Sequence, residues 1–366
     1  MAAVTADGMA QRPGRNPALR ALGWFWGVVL LALAGGTGAL QYLGPVPPPP
    51  AALTATPARP AEPASALLAA TTPAPLQAAP PTAGLDAAQA AGLIAAPDPA
   101  LLEPSTAFEG GFLPRLGPGG RASLHVYAAL FDATAAAGRP RVAILLSGIG
   151  TSQTASEDAI RATPGAISLA MSPYAFRPGP LLAAARAAGH EVLLSLPLEP
   201  DRYPIDDPGN KALLTGNPPA VNAQRLEWAL TRFAGYAGVT GALGALRGER
   251  YGGDAALMDG LLRELAARGL LYIDPRPGSP APPLATGRSV DVVIDEPAPV
   301  RAEIEANLAR LEQVARDRGA ALGLVSLPRP VTLDRIAAWA STLEQRGFVL
   351  APVSAIVSAP PLGKAK

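Results

Sequence analysis

Chemistry in a chain of alternating apolar runs and amphipathic segments collects where the runs end. From residue 141 onward those ends carry Ser147-Gly148, Ser172, Ser195, Ala242, Asp274, Asp295 and Ser326. Most are small or neutral. A metal site needs several carboxylates or imidazoles converging on one point, and only Asp274 and Asp295 in this set qualify. The two histidines do not add to it. His190 begins the run ending at Ser195, which puts it about 17 Å from that serine at ~3.3 Å per residue. His125 precedes the repeating pattern. Both read as structural residues.

Other chemistries are weaker. Neither Ser147 nor Ser195 sits in a G-x-S-x-G elbow, and no histidine is placed to activate either. Ser147-Gly148-Ile149-Gly150 follows an apolar run, but Gln153 stands where a dinucleotide fingerprint needs its third glycine, so a tight turn is the simpler reading. The stretch 197–221 carries Glu199, Asp201, Asp206 and Asp207 without the spacing of a calcium loop. Asp207-Pro208-Gly209-Asn210 within it is turn chemistry. There are no cysteines, which excludes disulfides and thiolate metal sites. The net charge of +1 with 16% charged residues gives no reason to expect nucleic acid.

The elements that would position these residues follow from periodicity. Apolar runs at 142–146, 166–171, 191–196, 238–243, 270–274, 291–294, 320–324 and 348–350 predict strands. Between them, Leu226, Ala229, Leu230 and Phe233 share a helical face, as do Ile304, Leu308, Leu311 and Ala315, and Ile336, Trp339, Ala340 and Leu343. Asn222, Thr332 and a Thr154–Glu157 box are the expected helix starts. Gly189, Gly269, Gly319 and Gly347 are the expected helix ends. About seven or eight strands alternating with helices predict a parallel α/β fold, as a distorted (β/α) barrel or, alternatively, an open doubly wound sheet. The run from His125 to Phe131 reads as a further strand in a lead-in segment.

The N-terminal part differs in kind. Residues 21–43 contain no charge, Trp24, Trp26 and Tyr42 lie near the ends, and Arg12, Arg15 and Arg20 precede the stretch. That pattern predicts a transmembrane helix with its N-terminus in the cytoplasm. A cleaved signal peptide, with Thr37 and Ala39 before the cut, is the competing reading. Residues 44–104 are about a quarter proline and rich in alanine and threonine, a composition that predicts a stiff disordered linker reaching on the order of 150 Å or more.

The segments VAILLSGIGTS, ISLAMSPYA, AAGHEVLLSLPLEP, ALLTG, RLEWALTRFAGYAGV, RGLLYID and VLAPVSAIV together resemble the divergent polysaccharide deacetylase family, of the NodB-like carbohydrate deacetylase superfamily. The resemblance spans roughly 112–357. It implies a distorted barrel and metal-assisted removal of acetyl groups from a polysaccharide, in which the metal activates water and a carboxylate takes the proton. Active relatives carry an Asp-Asp pair at 147–148, a histidine at 195, another at 242 and a late one at 326 or 327. This chain has Ser147-Gly148, Ser195, Ala242, and Ser326-Leu327. Only Asp274 matches a family aspartate, with Arg276 two residues on.

The resulting expectation is a degenerate member with no metal and no cofactor. It comprises a cytoplasmic tail (1–20), an anchor (21–43), a linker (44–104), a lead-in (105–140), the deacetylase-like domain (141–358) and a tail (359–366). It would sit in the inner membrane as a single-pass protein with its domain in the periplasm, contacting a cell-wall glycan or envelope proteins. The expected glycan-binding residues are Ser147, Ser195, Asp274 and Arg276. The alternatives are a hydrolase with a site rebuilt from Asp274, Asp295 or the 199–207 loop, and a tethered protein-interaction module.

Overall fold

A computed structural model describes residues 24–27, 30, 94 and 96–359. The predicted anchor, except for the helical Trp24–Gly27 and Leu30, lies outside the described residues, as do the cytoplasmic tail and most of the linker. Among the described residues no helix is long and apolar enough to cross a membrane.

The strands are β1 (Leu102–Pro104), β2 (Phe112–Pro114), β3 (Arg141–Ile149), β4 (Ser168–Met171), β5 (Val192–Ser195), β6 (Gly238–Thr240), β7 (Leu271–Asp274), β8 (Gly287–Ser289), β9 (Val292–Val293), β10 (Ala320–Val325) and β11 (Val349–Leu350). The helices are α1 (Ser123–Val126), α2 (Gln153–Ala162), α3 (Pro178–Ala187), α4 (Pro219–Leu230), α5 (Glu249–Gly253), α6 (Ala255–Ala267), α7 (Arg301–Arg318) and α8 (Pro330–Ser341). β1 and β2 form a small antiparallel pair. The other strands form one parallel sheet in the order β8-β7-β6-β5-β4-β3-β10-β9.

This sheet curls into a parallel half-barrel. Its two edge strands, β8 and β9, are separated in sequence only by Val290 and Asp291, whose amides donate to Asp274 and Leu322 respectively. One short segment thus leaves β7 and joins β10. The long central strand β3 is buried over Val142–Ile149, as a parallel strand covered on both faces should be. Along one edge it pairs with β10 over residues 141–146. Along the other it pairs with β11 at 141–142 and with β4 from Leu145.

Strand alternation divides the core. Ile144, Leu146, Leu169, Leu194, Val239 and Tyr272 belong to the cluster that packs beneath the helices. Ala143, Leu145, Ala170, Leu193, Ile273 and Leu324 belong to a second cluster, inside the curl. The lead-in closes that interior with Tyr127 and Ala129, together with Leu101 from just before it. His125–Phe131 is therefore not a strand. Ser123–Val126 is a helical turn tied to Gly269 through the Leu124 amide, and it carries Tyr127 inward to accept a 2.8 Å bond from the Asp98 amide. Residues 96–104, whose composition matches the linker, fold onto the domain, with Leu101 fully buried.

The end of the curl opposite the candidate site is fastened by one buried acid. Glu191 accepts from the Ser168 hydroxyl (2.6 Å), the Ala129 amide (3.2 Å), the Ser354 amide (3.0 Å) and the Ser354 hydroxyl. It joins the lead-in, β4 and the segment after β11, and these donors offset the cost of burying its charge. Beside it, fully buried His190 places Nδ1 2.8 Å from the Ile167 carbonyl and Nε2 3.1 Å from the Ile160 carbonyl.

The expected terminating glycines at 189, 269, 319 and 347 all adopt positive φ. The expected starts shift. Ser152, not Thr154, caps α2 by accepting from the Ala155 amide. Asn222 lies inside α4, where its side chain bonds both backbone groups of Leu214. Thr332 lies inside α8, which begins at a proline. The proline at the first turn needs no donor partner, so it displaces the polar start signal in both helices.

Candidate functional site

The strand C-terminal ends form the rim where function gathers in such folds. Alternation divides the candidate residues between the two faces. Ser147 and Ser195 continue the inward series of Leu145 and Leu193, and Ser326 that of Leu324. Asp295 lies in the turn after β9 and joins this group by accepting from the Ser326 amide. Asp274 follows the outward Tyr272. The structure therefore groups Ser147 and Ser195 with Asp295 and Ser326, and places Asp274 and Arg276 on the outer side.

Ser147 is fully buried and its Oγ accepts from the Gly244 amide at 3.1 Å, which ties β3 to the loop after β6. Ser195 is also fully buried, and among the described residues its hydroxyl finds no partner, nor does that of Ser326. Ala242 is fully buried within the inner cluster. Asp295 accepts from the Ser326 amide (2.9 Å), the Leu327 amide (3.4 Å) and Arg329 Nη1 (3.2 Å).

Leu327 occupies the mouth. Gly148 has φ +78°, and a Cβ built there would lie 2.7 Å from Leu327 Cδ2, 3.2 Å from Pro328 Cδ and 3.2 Å from the Ser326 carbonyl oxygen. A Cβ on Gly244 would meet the same leucine methyl at 3.5 Å. A side chain at the position of the expected second aspartate would therefore require the Leu327 methyl to move, at a backbone φ that favours glycine. Sequence reading missed Leu327 because its partners lie far away along the chain; its one signal was its alignment with the late family histidine.

On the outer side, Asp274 Oδ1 accepts from the Arg276 amide (3.0 Å) and Nε (2.9 Å), while Oδ2 accepts from Nη2 (2.6 Å). This bidentate pairing raises the Arg276 guanidinium above its ordinary value. Arg276 lies against Gly252 of α5, where a Cβ would come 2.7 Å from its Cζ. Nearby, burial, with Asp254 adding to it, pushes the Tyr251 hydroxyl up to about 12. Desolvation and then Asp274 raise fully buried Tyr272 well above its ordinary range. The acidic loop is similarly committed. Burial works to raise Glu199, but the amide and hydroxyl of Thr215 and then Arg250 outweigh it and hold the carboxyl below its ordinary range. Asp206 pairs with Arg202, and Asp207 accepts from the Gly209 amide.

These residues do not fit a divalent metal. Among the described residues no three His, Asp or Glu side chains converge to hold one. Asp274 lies at the end of β7 and Asp295 in the turn after β9, each engaged by an arginine, and neither histidine reaches the rim: His125 is exposed on α1 and His190 is buried among backbone carbonyls.

Residues 144–357 match the family model described as divergent polysaccharide deacetylase. The chain belongs to this family. A crystal structure of an uncharacterized protein from Agrobacterium tumefaciens C58 is 33% identical, with a TM-score of 0.62 over 68% of this chain and all of that one. A structure from Enterococcus faecalis V583, named for cellobiose-phosphate cleavage, covers 60% of this chain and all of its own at 13% identity. Its TM-score of 0.43 is too low to carry an argument. No curated protein matches the chain. Within the divergent polysaccharide deacetylase fold, this member keeps the half-barrel and has a leucine side chain at the rim beside Gly148.

Proposed function

We propose that this divergent polysaccharide deacetylase family member is non-catalytic and acts at the cell envelope by binding or scaffolding a cell-wall glycan. The observation that carries the reading is Leu327 against Gly148: glycine stands at the position of the expected second aspartate, and Leu327 packs against it. The arginine pairing of Asp274 and Asp295 supports the same reading and argues against the rebuilt hydrolase site. Arg276, with 23% of its side chain exposed, is the member of the expected glycan-binding set open to solvent. Ser147 and Ser195 are fully buried on the inner side, so contact with a glycan falls to Arg276. The uncharged 21–43 segment supports a membrane tether with the domain outside the cytoplasm.

The test is metal analysis of the purified protein together with acetate release from chitooligosaccharides and peptidoglycan fragments. The expected result is substoichiometric metal, no metal-dependent acetate, and retention on one of these glycans that weakens in Arg276→Ala. Stoichiometric metal with acetate release overturns the non-catalytic reading, and failure to retain any glycan overturns the binding role.

A further inference from the structure

A second surface on the rim, built from the loop after β4, the loop after β5 and α4, combines exposed aromatic side chains with cations that, among the described residues, have no carboxylate within 4 Å. After β4 the chain runs Ser172-Pro173-Tyr174-Ala175-Phe176-Arg177. Phe176 is 91% exposed and Tyr174 is 38% exposed. Arg177 lies over the Phe176 ring, 5.8 Å from its centroid. The Tyr174 ring packs on Trp228 of α4 with centroids 5.2 Å apart. Arg232 and Lys211 also sit over Trp228, at 5.3 and 6.0 Å.

This arrangement is built. The Tyr174 amide donates to the Ser172 hydroxyl, and the Tyr174 hydroxyl accepts from the Lys211 amide at 3.2 Å. Gly209, at φ +101°, sits against the tyrosine so closely that a Cβ would come 2.7 Å from its hydroxyl oxygen. Arg232 Nε donates to the Pro173 carbonyl at 3.0 Å, and Arg225, whose charge acts on Tyr174, donates to the Ala212 carbonyl. Asp207 acts on Tyr174 with the opposite sign. Among the described residues, Arg177, Lys211, Arg225 and Arg232 have no carboxylate within 4 Å, whereas Arg247, Arg250, Arg268, Arg276, Arg288 and Arg329 each have one.

We infer that this face docks a protein segment that is acidic and carries an apolar pocket or side chain for Phe176. Cations left without partners favour a negatively charged partner by complementarity. Exposed aromatic residues with arginine form the composition of binding hot spots. A sugar ring would need an open aromatic face. The Trp228 ring is already engaged by Tyr174, Arg232 and Lys211, and the outstanding group is an isolated apolar ring, which suits a protein pocket better.

The test uses the full chain in mild detergent and two probes: a fluorescent peptide of alternating glutamate and leucine, and polygalacturonate as an anionic glycan. Lys211 is the only lysine before Lys364, so a carbodiimide should join the peptide's carboxylates to it, as peptide mapping will read. Binding of the peptide should weaken at least about tenfold in Phe176→Ala and in Arg232→Glu, and fall with added salt. The melting temperature of Phe176→Ala should be unchanged, since that ring is almost fully exposed. No peptide binding, peptide binding indifferent to Phe176→Ala, or displacement of the peptide by polygalacturonate overturns the proposal.

Discussion

Gly148→Ala tests whether the rim is filled rather than merely short of ligands. The added methyl would lie 2.7 Å from Leu327 Cδ2, at a backbone φ of +78°. A left-handed residue with a Cβ costs about 1–2 kcal/mol, and overpacking costs about 1–3 kcal/mol. The sum is roughly 2–5 kcal/mol, a large part of the 5–15 kcal/mol typical of a domain. At about 2–4 °C per kcal/mol for a domain of this size, the melting temperature should fall by about 4–20 °C. Leu327→Ala should cost less than a fully buried leucine, because Leu327 is only partly buried. Combining the two changes removes the overpacking while leaving the backbone penalty, so the double mutant should be more stable than additivity predicts by about 1–2 kcal/mol. Denaturant unfolding of the four proteins measures this. A Gly148→Ala effect under about 0.5 kcal/mol, the usual error of additivity, or a strictly additive double mutant, would refute the claim that Leu327 packs where a side chain at 148 would lie. Gly148→Asp with Leu327→Ala should still bind no zinc, since Asp274 lies on the other face of the sheet.

Two further outcomes follow from the buried acid and a buried phenol. Glu191→Gln replaces an oxygen by an amide donor facing Ser354, Ala129 or Ser168 donors, and should destabilise the domain by about 2–4 kcal/mol in chemical denaturation. Tyr251 has its folded value raised to about 12 from 10.0, so its neutral form is favoured by folding. That contribution is complete below pH 10 and is lost as pH rises toward 12. Tyr251→Phe should leave stability at pH 7 nearly unchanged and flatten the decline between pH 10 and 12; an unchanged alkaline slope would contradict the assignment.

The strands were legible because they are near-continuous apolar runs ending in glycine or polar residues. Ala320–Val325 and Leu271–Asp274 fall within a residue of their expected positions. β8, Gly287–Ser289, was not legible, since two of its three residues are glycine and serine and its pairing comes from Tyr272 across the sheet. The lead-in misled by local pattern: apolar residues near His125 suggest alternation, but burying Tyr127 inside the curl outweighs it. Helix starts were misplaced where proline at the first turn did the work assigned to Asn222 and Thr332.

The residues at the positions that the resemblance assigns to metal ligands could be read directly, as Ser147, Gly148, Ser195, Ala242 and Ser326-Leu327. How they pack could not. Leu327 meets Gly148 across 179 residues of chain, and Asp295 is bound by amides 31 and 32 residues away; no local spacing encodes either contact. The face to which Asp274 belongs was also hidden, since it depends on which parity of β7 points into the curl. That parity changes the functional argument. With Asp274 inward, the rim would hold two acids and a single added histidine could begin to rebuild a metal centre. With Asp274 outward and bound to Arg276, and with Leu327 filling the mouth, restoring ligands one at a time gains no convergence. On the proposed non-catalytic reading, the rim is repacked around Leu327 and two arginine-bound acids, and binding falls to side chains that reach solvent, Arg276 among them.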